Sequence, residues 1–183
     1  MGDEKLDFTE ELTVIEMTSR LEQQGSPQRK LWLQGSEALC NKKYEQAELF
    51  LLQALNQKGI NAIIRHFVYN DLIKIYYALR DKQKDAIEKC IRICKEDISL
   101  LPNFLPLEKK LYPTDNFPPE CPSLERLAII YEKQGEIQKA LEVCEKAIEL
   151  GIDKRHEWYN KQYGAKKGYA ERKKKLEKKL AKK

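Results

Sequence analysis

A chain of 183 residues with 42% hydrophobic and 34% charged side chains is long enough for a buried core and too apolar to stay unfolded. No run reaches the ~18 apolar residues of a membrane-spanning helix, and the acidic opening MGDEKLDFTEEL lacks the basic-then-apolar order of a secretion signal. The formal charge of +5 hides a division: residues 154–183 hold 13 Lys or Arg against 3 Glu, whereas 1–153 hold 21 basic and 26 acidic residues.

In chain order, Asp7 to Glu10 reads as a capping box. It opens a helix with Leu12, Ile15 and Leu21 on one stripe and Gly25 as its stop. Ser26-Pro27 sets an N-cap residue before proline and predicts a second helix to about 40. After an Asn-Lys-Lys turn comes a helix over 44–57, closed by Gly59. Residues 61–80 predict a long helix whose Ile63, Ile64, Phe67, Val68, Leu72, Ile73, Tyr76 and Tyr77 cover more than one face, as in a helix buried between neighbours. Another follows, to about 100. Residues 101–120 then carry five of the seven prolines, and a proline inside a helix costs about 3 kcal/mol. This stretch predicts an ordered loop or a short helix with irregular flanks, held against the array by apolar residues such as Phe104 and Phe117. Helices over 123–134 and 136–150 are divided by Gly135 and stopped by Gly151. The Lys-rich tail predicts a helix from about 168 with Tyr169, Leu176 and Leu180 on one side. No segment alternates with period two, so no sheet is assigned.

Three of these helices share a pattern. YEQAELFLLQAL, KDAIEKCIRIC and IQKALEVCEKAI align Ala47, Ala86 and Ala140, then Leu51, Cys90 and Cys144, then Ala54, Ile93 and Ala147. Small and medium apolar residues at i, i+4 and i+7 let two helices approach closely. The full pattern resembles the tetratricopeptide repeat, a helix-turn-helix of about 34 residues. From Cys121, the residues Leu124, Leu127, Ala128, Tyr131, Ala140, Cys144 and Ala147 fill seven of that repeat's eight preferred positions, with Ile152 where proline is usual. From Gln28, Leu31, Gly35, Ala38, Ala47, Leu51 and Ala54 fit, while Gln34 and Gly59 do not. From Phe67, Ile73, Tyr77, Ala86, Cys90 and Ile93 fit, but Asn70 and Lys74 replace a large and a small apolar residue.

The resemblance implies an all-α fold of antiparallel helical hairpins stacked as a short right-handed solenoid. Its units would span about 28–61, 67–100 and 121–154, with a Pro-rich insertion at 101–120. An N-terminal helix within 1–26 would pack on the array 27–153, and 154–183 would form a basic capping helix. The resemblance further implies a ligand groove lined by the first helix of each unit. Its residues here would be Arg29, Trp32, Ser36 and Leu39, then Asp71 and Ile75 beside Val68 and Ala78, then Glu125, Ile129 and Glu132 beside Pro122. Trp32 is the natural anchor, unless it packs under the N-terminal helix. The carboxylate clamp of chaperone-tail-binding members is not encoded, because Ser36 and Leu72 occupy its Asn positions.

The expected function is a cytoplasmic, non-catalytic adaptor for a protein or peptide, basic or amphipathic in view of Asp71, Glu125 and Glu132. A second reading is nucleic-acid binding by the tail through Lys166, Lys167, Arg172, Lys173, Lys174 and Lys175. A third is a self-associating scaffold. No nucleophile, phosphate-loop or dinucleotide motif marks an enzyme. His66 and His156 stand apart from any ligand pattern, and Cys90 with Cys94 alone does not make a metal site, so neither metal nor cofactor is expected.

Overall fold

The computed structural model describes residues 26–113, 119–153 and 168–181. The helix expected within 7–25 lies outside them. Helix α1 (Pro27–Cys40) starts where Ser26 Oγ accepts the Arg29 N–H at 3.2 Å, with Pro27 in its first turn. This is the cap that Ser-Pro implied. Lys42 turns the chain at φ 57° into α2 (Tyr44–Leu55). Helix α3 (Ala62–Leu79) is opened by Asn61, whose Oδ1 accepts the Ile64 N–H at 2.9 Å. Helix α4 follows (Ala86–Leu111), then α5 (Pro122–Lys133), α6 (Ile137–Glu149) and α7 (Tyr169–Leu180). The described residues are helices and turns, without a strand.

The α1/α2, α3/α4 and α5/α6 pairs form successive hairpins, and α7 lies on α6. The shared stripe faces inward throughout: Ala47, Leu51, Ala54, Ala86, Cys90, Ala140, Cys144 and Ala147 are fully buried, and Ile93 nearly so. Helices α1 and α2 approach closely at Gly35, where an added Cβ would stand 2.7 Å from Leu51 Cγ. Between α5 and α6, Gly135 takes φ 77°, a left-handed conformation that glycine reaches without steric cost. Helix α3 touches α1, α2, α4 and α5. It accordingly buries 12 of its 18 residues, as its multi-faced apolar pattern predicted. The array is an all-helical stack of hairpins.

One boundary differs from expectation. Helix α4 does not end near residue 100; it runs for 26 residues, through Pro102 and Pro106. Both prolines face solvent, while Leu101 just before them and Phe104 between them are almost fully buried. Burying two such side chains is worth about 1.5–3 kcal/mol each, comparable with what the prolines cost. The helix therefore continues, and it reaches beyond the hairpin partner that α3 provides.

Candidate binding groove

The extra turns of α4 create a wall. Together with α1, α3 and the segment before α5, they enclose an open cavity of about 630 Å³. Trp32, Ser36 and Leu39 of α1 line one side, spaced so that all three share a helix face. Phe67, Asn70, Asp71 and Lys74 come from α3, Phe104, Glu108 and Tyr112 from α4, and Glu120 and Pro122 from the entry to α5.

Asp71 organises the α1 side. Its Oδ2 accepts from Trp32 Nε1 at 3.1 Å and from Ser36 Oγ at 2.5 Å, and its Oδ1 accepts from Lys74 Nζ at 2.9 Å. A buried carboxylate with three donors, one of them cationic, is compensated in place. These bonds also set the Trp32 ring, which stacks on Phe67 with centroids 5.1 Å apart and 15° between planes.

His66 sits at the cavity floor, 1% exposed, stacked on Phe104 at 3.9 Å. Its Nδ1 is 2.7 Å from Oδ1 of the fully buried Asp97, so Nδ1 carries the proton and donates to the carboxylate. Its Nε2 lies 3.1 Å from the Asn70 amide nitrogen. The Glu120 carbonyl oxygen lies 3.2 Å from the same Nε2. The Asn70 Oδ1 and Asp97 Oδ2 atoms are buried without a hydrogen-bond partner.

Of the residues expected in a groove, the cavity brings together Trp32, Ser36, Leu39 and Asp71, with Pro122 from the third hairpin. Ile75 does not join them. It is fully buried, as is Val68, because α3 is packed on several sides, and both belong to the core. Arg29, Glu125 and Ile129 are half-buried outside this cavity. Glu132 is engaged by α7 instead, accepting from Arg172 Nη1 at 3.2 Å and from Lys179 Nζ at 2.6 Å. His66, Asn70, Phe104 and Glu120 were not anticipated. The departure of Asn70 from a large apolar residue was the one signal pointing to them.

The tail helix is seated on the third hairpin. Tyr169 and Leu176 are buried, while Leu180 stays 42% exposed and drops out of the expected stripe. Lys173 pairs with Glu145 at 2.8 Å, so Arg172, Lys173 and Lys179 all meet carboxylates of α5 or α6. Lys174 and Lys175 are exposed; Lys166 and Lys167 lie outside the described residues.

No described helix is long and apolar enough to cross a membrane, and no group of three His, Cys, Asp or Glu among the described residues could hold a metal ion. Comparison with known families matches residues 122–152, the whole α5/α6 hairpin, to the tetratricopeptide repeat. Comparison with curated proteins and with solved structures gives no match. The α5/α6 hairpin is thus similar to a tetratricopeptide repeat, and it is seated in an all-helical stack of hairpins.

Proposed function

We propose that the chain is a non-catalytic adaptor that holds a protein or peptide in the cavity between α1, α3 and α4. The observation that carries this reading is the Trp32–Phe67 stack, fixed by Asp71 on the wall of a concave site of 630 Å³. Clefts of roughly 300–1,000 Å³ with aromatic walls and a few fixed polar groups suit ligand side chains. An aromatic ring already held in one rotamer loses little entropy on binding. The repeat on α5/α6 supports a role in protein interaction. We also read the first two hairpins as degenerate repeats of the same kind, with α7 as the cap of the third. The pairing of Arg172, Lys173 and Lys179 with carboxylates favours that cap over a phosphate-binding surface.

The test is a photo-crosslinking residue placed at Tyr112, an exposed residue of the cavity wall, and separately at Lys178 on the outer face of α7. In nuclease-treated lysate, crosslinking to a protein from position 112 and not from 178 is expected. Adducts formed only from 178, and lost with nuclease, would replace the groove by the tail.

A further inference from the structure

Resting on that reading, we propose that a phosphate monoester on the peptide partner is held by Arg126 and Lys133 beside Tyr77, one turn along α3 from the cavity. The charge pattern of α5 gives the first reason. Glu125 and Glu132 stand two turns apart on one face, and so do Arg126 and Lys133 on the next. The acidic face belongs to the tail helix: Glu132 pairs with Arg172 and Lys179, and the charge of Glu125 acts on Tyr169. Among the described residues no carboxylate pairs with Arg126 or Lys133. The two cations are left on the side of α5 that meets α3.

Tyr77 gathers them. The Arg126 guanidinium lies over its ring, Cζ 3.8 Å from the centroid, and Arg80 Cζ lies 4.4 Å from the same centroid. Arg80 is already engaged by Asp81 at 3.1 Å, and Lys74 by Asp71 at 2.9 Å, so neither contributes free charge. Burial alone would raise the Tyr77 phenol, but Arg126 and Lys133 beside it outweigh burial and hold it below its ordinary 10. Two uncompensated cations at one phenol repel each other, and an anion between them removes that cost. The place is open to solvent: Lys133 is exposed, and Arg126 and Tyr77 are half-buried.

The count of charges selects the anion. A phosphate monoester carries about −1.5 to −2 at neutral pH and three strong acceptor oxygens. It matches two cations, where a carboxylate matches one. Arg126 can present two parallel N–H donors, Lys133 a compact point charge, and the Tyr77 phenol an O–H. Lys74 lines the cavity and neighbours Tyr77 at i+3. About two extended residues of a seated peptide span that step.

The experiment uses the immobilised full chain and pools of capped random hexapeptides with one central residue fixed as phosphoserine, serine, aspartate or lysine. The phosphoserine pool is expected to be retained about ten-fold over the serine and aspartate pools, with lysine lowest. Lys133→Gln and Arg126→Gln, each checked for helicity by circular dichroism, should bring the phosphoserine and serine pools to within about two-fold. Lys178→Gln, on the outer face of α7, should leave the preference unchanged. Should Arg126→Gln fail to fold, Lys133→Gln carries that comparison from an exposed position. Equal retention of phosphoserine with aspartate or serine, or an unaltered preference in Lys133→Gln, overturns the phosphate assignment and leaves a peptide groove standing. Retention of no pool also overturns it, and the crosslink from position 112 then decides the groove by itself. Inorganic phosphate or a short single-stranded oligonucleotide bound as tightly as the phosphoserine pool would overturn the peptide as its source.

Discussion

The Asp153 carboxylate caps a helix that begins 16 residues later in the chain: its Oδ1 accepts the backbone N–H of Tyr169 at 2.5 Å and that of Ala170 at 3.3 Å. The residue at the ordinary cap position, Gly168, has no side chain to do this. An anion at a helix N-terminus also complements the helix dipole. Asp153→Ala is expected to cost about 0.5–2 kcal/mol, and Asp153→Asn much less. Thermal melts and amide exchange at residues 169–172 check both, with faster exchange expected in the Ala variant alone.

Two kinds of contact hold α7, and they differ in weight. Its ion pairs with Glu132 and Glu145 are partly exposed, and such pairs are worth roughly 1 kcal/mol or less. Leu176 is fully buried. Leu176→Ala should therefore lower stability by about 2–5 kcal/mol, and Glu132→Gln by under about 1. Urea unfolding measures each. A larger loss for Glu132→Gln would mean that charge, rather than the apolar stripe, seats the helix.

Gly35→Ala should destabilise despite alanine's better helix propensity. The new methyl meets Leu51 within 2.8 Å. Overpacking costs typically about 1–3 kcal/mol, against a propensity gain of about 1. Adding Leu51→Val should recover part of the loss, read as a non-additive pair in a double-mutant cycle.

Alkaline pH should weaken the fold. Burial pushes the Cys144 thiol from its ordinary 9.0 up to about 11. Burial also raises Tyr76 and Tyr169 above their ordinary 10. Each folded group keeps a proton that the unfolded chain releases, so the unfolded state binds fewer protons and stability falls as pH rises. The Cys144 contribution is intact below pH 9 and lost between 9 and 11, at no more than about 1.4 kcal/mol per pH unit. Urea midpoints at pH 8 and pH 10.5 should differ, and less so in Cys144→Ala.

The packing stripe could be read from the sequence because it is local. Ala47, Ala86 and Ala140 announce themselves by spacing within one helix, and each proved buried. The cap by Ser26 and the turn at Gly135 are local in the same way. The length of α4 was hidden because proline is a strong local signal, while Leu101 and Phe104 act through tertiary burial. The cavity floor was hidden for a related reason. His66 and Asp97 are 31 residues apart, and their bond follows no spacing rule. Trp32, Ser36 and Asp71 were each singled out, but not the hydrogen bonds that join them. Ile75 was misplaced because a helix packed on several sides has no single outward face for a groove register to follow.

Pro102 and Pro106 leave α4 with two rungs missing from its backbone hydrogen-bond ladder, both in the turns that carry the cavity wall. Side-chain packing such as Phe104 against His66 helps hold that part of the helix in line. Bending the wall at either proline breaks no backbone hydrogen bond at that rung, so it costs less there than in a helix with a full ladder. Accommodation of different partners would then be a mechanical property of one helix, set by two prolines on its solvent-facing side.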